Sequence, residues 1–196
     1  MGGLILLVAV LLIAAVFFVN LYNRLVTGRN RYQNAYSQID IQLRRRYDLI
    51  PNLVESVKGY MTHEKETLAA VINARNSAMS ASRQAAQAPG DPRAMQQLAA
   101  AEGALDSTLG RFFALSEAYP DLKANQNMAQ LIEELRSTEN RIAFARQAFN
   151  DAVTLYNTQR EVFPGNLVAG SFNFNPAQLL EESDPEVKAV PRVSFS

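Results

Sequence analysis

The first charged side chain in this sequence is Arg24, and everything from Met1 to Val19 is apolar or small. A bilayer hydrocarbon core about 30 Å thick needs roughly 20 helical residues at 1.5 Å each, and residues 2–22 supply that length. A cleaved export signal would need a basic flank, a shorter apolar core and a small-residue cleavage site. Nothing basic precedes Leu4, and Asn20-Leu21-Tyr22-Asn23 offers no such site, so an uncleaved single-span anchor is expected. Leu6 stands where a myristoylation signal wants Ser or Thr. Phe17, Phe18 and Tyr22 are the interfacial aromatics, because the chain has no Trp. Basic residues near a span are retained in the cytoplasm. With Arg24, Arg29 and Arg31 all after the span, the amino terminus is expected outside and the rest of the chain in the cytoplasm.

The remainder is long enough for one ordinary domain. It is rich in helix formers and lacks the β-branched alternation that a sheet requires. From Leu25 onward apolar residues recur every three or four positions: Tyr36, Ile39, Leu43, Tyr47, Ile50, Val54, Val57, Met61, Leu68 and Val71. That period belongs to an amphipathic helix continuing directly out of the membrane. Pro51 lacks a backbone donor, so it should kink this rod or start a new helix, with Asp48 as a cap. Pro89-Gly90-Asp91-Pro92 predicts a turn and a fresh helix, Asp91 capping it and Pro92 at its first position. That helix carries Met95, Leu98, Leu105, Leu109 and Phe112 and should stop near Tyr119, before Pro120. Asn127 with Gln130 resembles a capping box opening a last long helix with Met128, Leu131, Leu135, Ile142, Phe149, Val153 and Tyr156 on one face. The expected fold is all-α: residues 1–23 an anchor, 24–162 an up-and-down bundle of three to four long helices, and 163–196 an extended, partly disordered tail. Pro164, Pro176, Pro185, Pro191 and the acidic run Glu181, Glu182, Asp184, Glu186 mark that tail.

Chemistry is sparsely encoded. Lys plus Arg and Asp plus Glu are equal at 19 each, which gives no bulk attraction for nucleic acid, and the absence of Cys removes thiol chemistry and Cys-based zinc sites. The only His is His63, beside Glu64 and Glu66. Zinc on a helix needs a second His one turn away and di-iron bundles need Glu-x-x-His twice, so a solvated helix face is the better reading. No glycine-rich phosphate loop is present, and no cofactor is expected. In Arg44-Arg45-Arg46, helix geometry sends Arg45 outward if Leu43, Tyr47 and Ile50 face in, with Arg44 and Arg46 flanking the seam. Salt bridges from this triplet to neighbouring helices are the plainer expectation, and Arg24, Arg29, Arg31 and Arg45 are the candidate contacts for lipid headgroups or an acidic partner. Arg75 falls in line with Leu68 and Val71, and Glu139 and Arg146 fall in the sector of Met128 and Ile132. A buried structural network of Arg75, Glu139 and Arg146 is the expectation, in which Glu139→Ala strands a cation at a cost of about 3–5 kcal/mol.

Three blocks of sequence resemble the LemA family of bacterial membrane proteins. They are Tyr22-Asn23-x-Leu25-Val26, then Ile39-Asp40-x-Gln42-Leu43-x-Arg45-Arg46-x-Asp48-Leu49-Ile50-Pro51-Asn52-Leu53-Val54, and later Thr138-Glu139-Asn140-x-Ile142-x-x-Ala145-Arg146. Val57-Lys58-Gly59-Tyr60, Tyr119-Pro120-x-Leu122-Lys123-Ala124 and Phe163-Pro164 extend the likeness over nearly the whole chain. The resemblance implies a one-span anchor in a bacterial inner membrane with a cytoplasmic bundle, and supplies no agreed activity, cofactor or catalytic residue. It also implies an envelope setting, since the family's genes often lie near membrane-associated proteases. The functional expectation is a non-enzymatic membrane scaffold or adaptor that self-associates or engages another envelope protein. The alternative is a lipid-binding or membrane-shaping protein using its membrane-proximal arginines.

Overall fold

The computed structural model describes residues 1–123 and 125–181. In chain order its helices are α1 (Gly2–Val57), α2 (Lys65–Gln87), α3 (Pro92–Ser116), α4 (Pro120–Lys123), α5 (Gln126–Glu161) and α6 (Gly165–Ser171), and no strand occurs among the described residues. Glu182, Asp184 and Glu186 of the acidic run lie outside the described residues.

Helix α1 contains two chemically different stretches in one unbroken rod of 56 residues, roughly 84 Å long. Up to Asn20 its side chains are exposed apart from the half-exposed Ala14. From Leu25 a buried stripe takes over, through Gly28, Tyr32, Tyr36, Ile39, Leu43, Tyr47, Ile50, Val54 and Val57, at steps of three and four. The apolar end therefore presents its greasy surface to the surroundings, and the amphipathic end presents it to the other helices.

Contacts along α1 give the directions of its neighbours. Tyr36 meets Phe149, Tyr32 meets Tyr156, and Gly28 lies against Tyr156 and Gln159, so α5 runs antiparallel to α1. Asp48 and Tyr47 meet Arg75 while Asp40 meets Ser82, so α2 also descends towards the membrane end. Arg46 meets Glu102 and Asp106, and the turn at Gly90 lies by Tyr32, so α3 rises again. The result is the up-and-down bundle expected from the stripes. At the far end Tyr119 donates to Glu64 at 3.1 Å and Asn125 to the Tyr60 hydroxyl at 3.4 Å, tying the two distal turns together.

Local signals account for the starts of α3 and α5 and for the turn between α2 and α3. Asp91 accepts from Ala94 N–H and Pro92 opens α3, as the sequence predicts. Gly90 has φ +85 and a Cβ there would come within 3.0 Å of Ala177, so the turn needs glycine on both counts. Helix α5 starts two residues before the expected box: Asn125, not Asn127, accepts from the N–H groups of Asn127 and Met128. The link before α5 forms the single turn of α4.

Two larger differences have non-local causes. No helix starts at Pro51; α1 passes through it and ends at Val57, where a turn around Gly59 plants Met61 in the core and leaves His63 exposed on a loop rather than a helix face. The tail holds the short helix α6 and then an extended stretch docked on the bundle. There Phe174, Ala177 and Leu180 are buried, and a repeat of three suits polyproline-like backbone around Pro176. Asn157 brackets Ala177, donating to its carbonyl and accepting from its N–H, and Asn150 does the same for Leu180. Arg160 donates to the Phe174 carbonyl, Tyr156 to that of Asn175, and Gln178 N–H reaches the Gly90 carbonyl.

Candidate functional site

The densest polar constellation lies inside the bundle, where α1, α2 and α3 meet. Arg46 is one residue along from the Leu43–Tyr47–Ile50 stripe, and its side chain is only 8% exposed. It donates to Glu102 at 3.1 Å and to Asp106, two acids one turn apart on α3. Tyr47 donates to the other oxygen of Glu102 at 2.5 Å. Burial pushes the Glu102 carboxyl above the usual carboxylate range; Arg46 and the Tyr47 hydrogen bond pull it back and Asp106 adds to the push. The Tyr47 phenol is likewise raised, by burial first and then by the charge and hydrogen bond of Glu102. The neighbouring Tyr36 hydroxyl is buried with no hydrogen-bond partner among the described residues, and burial with the charges of Asp40 and Glu102 raises it too. One guanidinium held by two carboxylates, the inner of which also accepts from a phenol, is a device for fixing α1 against α3, since removing Arg46 or Glu102 strands a desolvated charge.

Next to it, Pro51 acquires its explanation. Without an N–H, Pro51 leaves the Tyr47 carbonyl four residues earlier unpaired. The Nε of Arg75, on α2, donates to that carbonyl at 3.0 Å. Arg75 also faces Asn76 at 3.0 Å and Asp48 at 4.0 Å. A side chain from another helix thus replaces the missing backbone donor, and the helix continues. Arg75→Ala should destabilise the bundle by about 1–3 kcal/mol by leaving a buried carbonyl unsatisfied. In a Pro51→Ala background, where the backbone supplies the donor, the same change should cost clearly less. A double-mutant cycle by urea unfolding measures the difference, and equal costs in the two backgrounds would separate Arg75 from Pro51.

The structure does not bring Arg75, Glu139 and Arg146 together as a buried network. Glu139 is exposed, Arg146 is half-buried on the same helix, and the buried line of α5 runs through Leu135, Thr138, Ile142 and Phe149. Glu139 stands roughly a quarter turn off that line. Its charge reaches the core as a small favourable field at Arg46. Glu139→Ala should therefore shift unfolding by no more than about 0.5 kcal/mol, in place of the several kcal/mol that burial would imply; a melting curve decides it.

The four candidate contact arginines also separate. Arg24 and Arg31 are exposed beyond the span, whereas Arg29 is half-buried with its guanidinium 5.2 Å from the Phe174 ring, holding the tail. Arg45 is exposed but 21 residues past Arg24 on the same rod, about 30 Å further along. A charge at that distance lies several screening lengths, of about 8 Å each, from Arg24. His63 faces solvent, and among the described residues no three His, Cys, Asp or Glu side chains group closely enough to hold a metal ion.

The cluster had a signal that periodicity alone obscured. Arg46 lies three residues after Leu43 and four before Ile50, and Glu102 falls between Leu98 and Leu105 on the buried line of α3. A cation and an acid, each interrupting a stripe, were the pair to join. Of the sequence blocks that resemble a family, the longest covers this region, Ile39 to Val54. A model of the LemA family matches residues 35–195. The chain belongs to the LemA family. The Metamycoplasma hominis protein LemA is 27% identical over 169 residues, covering 86% of this chain and 73% of its own length. Magnetosome protein MamQ of Magnetospirillum gryphiswaldense is 24% identical over 200 residues, 92% of this chain and 74% of its own. Magnetosome protein MamQ 2 of Paramagnetospirillum magneticum is 24% identical over 176 residues, 82% of this chain; the match spans 65% of that relative's length. The LemA match begins at residue 35, so the apolar end of α1 stands on its own composition and exposure. That end, 0% buried over its most apolar window, together with these relatives supports membrane association.

Proposed function

We propose that this chain is a non-enzymatic, single-pass membrane scaffold or adaptor, its amino terminus outside and its bundle in the cytoplasm. One observation carries the reading: the helix that supplies the apolar, unburied segment is the same unbroken helix that forms the spine of the bundle. Whatever docks on the bundle is thereby held at a set distance from the membrane, up to about 50 Å for the stretch from Leu25 to Val57. Arg46 and Glu102, largely buried, are engaged with each other across two helices and Arg46 with the more exposed Asp106, which serves rigidity. The exposed faces of α3 and α5 then offer the surface for a second copy or another envelope protein.

A photo-activatable crosslinking residue placed at exposed Arg45 in intact membranes tests this. Discrete protein adducts by mass spectrometry, to the chain itself or to an envelope protein, are the expected result; adducts to lipid alone would contradict it. The alternative, a headgroup-binding surface of Arg24, Arg29, Arg31 and Arg45, has less support. Arg29 is engaged with Phe174 and Arg45 sits far along the rod, which leaves Arg24 and Arg31 as the exposed pair near the span.

A further inference from the structure

Between Arg160–Glu161 and Glu181 the sequence runs from Val162 to Leu180 without a charged residue. Part of this stretch is buried: Gly165, Val168 and Ala169 of α6, then Phe174, Ala177 and Leu180 of the strap. The rest faces outward. Val162 is 52% exposed, Phe163 77%, Leu167 53% and Phe172 61%. Elsewhere beyond the span, the exposed large apolar residues among those described, such as Ile41, Phe144 and Leu155, are scattered over the long helices. Here four gather at one corner.

The position of that corner is set by its contacts with α1. Leu21, Arg24 and Leu25 share a small cleft with Val162, Phe163 and Gly165. At the other end of α6, the Phe172 ring lies 5.1 Å from that of Tyr22. Both ends of the short helix thus meet α1 within about one turn of each other. Helix α6 therefore crosses the rod, and it does so where a span of roughly 20 residues from Gly2 reaches the membrane surface. An outward apolar face lying crosswise at that height, with exposed Arg24 beside it, has the make-up of an element seated in the headgroup boundary.

We propose that the α5–α6 corner is a second membrane contact, its exposed Val162, Phe163, Leu167 and Phe172 side chains embedded among the lipids of the same bilayer that α1 spans. This rests on the spanning role of α1 and adds a fixed attitude to it. A rod held by one helix can tilt and swivel, whereas a rod also seated by a crosswise apolar corner keeps one face towards the membrane.

The chain has no Trp, so single-Trp variants of the full-length protein report one site each. Phe163→Trp and Leu167→Trp probe the corner, Phe17→Trp probes the span, and Phe144→Trp, exposed far along α5, probes water. Each is reconstituted into phosphatidylcholine vesicles with ordinary or acyl-chain-brominated lipid, and quenching is compared. Both corner variants are expected to be quenched to within about a factor of two of Phe17→Trp, with Phe144→Trp essentially unquenched, as befits burial of 5–10 Å into the interface. Quenching of Phe17→Trp without quenching at the corner would overturn the second contact and leave the span intact, including the case where a blue-shifted corner emission shows protein covering it. No quenching of Phe17→Trp would overturn the span and this proposal with it.

Discussion

Arg46→Ala is expected to destabilise the bundle by about 3–5 kcal/mol at neutral pH. The guanidinium is the shared partner of Glu102 and Asp106, and Glu102 has only 16% of its side chain exposed. Deleting Arg46 leaves a desolvated carboxylate with the Tyr47 hydrogen bond as its remaining support. The loss should depend on pH with a definite sign. Glu102 already titrates above the usual carboxylate range in the folded protein because of its burial, and without Arg46 it rises further. A group whose folded pKa exceeds its unfolded value binds more protons when folded, so its contribution to stability falls as pH rises through that window. Arg46→Ala should therefore recover stability as pH falls from neutral towards the ordinary carboxylate range, beyond any change seen in the unmodified protein. Urea unfolding at a series of pH values measures both effects. A loss of the same size at every pH would show that Glu102 is not the stranded group.

Phe149→Ala should cost a comparable amount, about 3–5 kcal/mol, through packing alone. Its ring is 0% exposed and stands edge-on to Tyr36 at 5.6 Å and Tyr32 at 6.3 Å, where α1 and α5 pack together. Truncation would leave a void lined by rings that cannot collapse into it, and the lost edge-to-face contacts add to the deficit. Phe144→Ala, five residues earlier on the same helix, is the internal control. That ring is 74% exposed, and its removal should change stability by less than about 0.5 kcal/mol. Equal effects at the two positions would mean that α5 presents a different face to α1.

These two sites mark how far sequence reasoning reaches. Phe149 was legible, because an apolar residue on a period of three to four needs only its own helix to reveal it. The apolar end of α1, the stripes of α3 and α5 and the Asp91–Pro92 start of α3 were legible for the same reason: their signals are local. The turn between α1 and α2 at residues 58–64 was not, since the apolar period runs on through Met61 to Leu68 and Val71. Pro51 was not. Whether it breaks a helix depends on a donor for the Tyr47 carbonyl, and that donor comes from Arg75, 28 residues away. That the Arg44–Arg46 run makes salt bridges to a neighbouring helix was legible, but which acids it meets was not, because those of Arg46 sit 56 and 60 residues further on. The docked strap was hidden likewise: Asn150 and Asn157 look like ordinary polar positions until an extended backbone lies between them.

Whether α1 is one rod from lipid to the far end of the bundle can be read as a distance. The chain has no Cys, so Phe17→Cys and Asn52→Cys accept one spin label each, the first in the apolar segment and the second just past Pro51. In lipid nanodiscs, pulsed dipolar spectroscopy should give a single narrow distribution near 50 Å, the length of 35 helical residues at 1.5 Å each. A broad distribution, or one centred well short of that value, would mean that the anchor and the bundle are hinged, contradicting the continuous spine from which the scaffold reading is built.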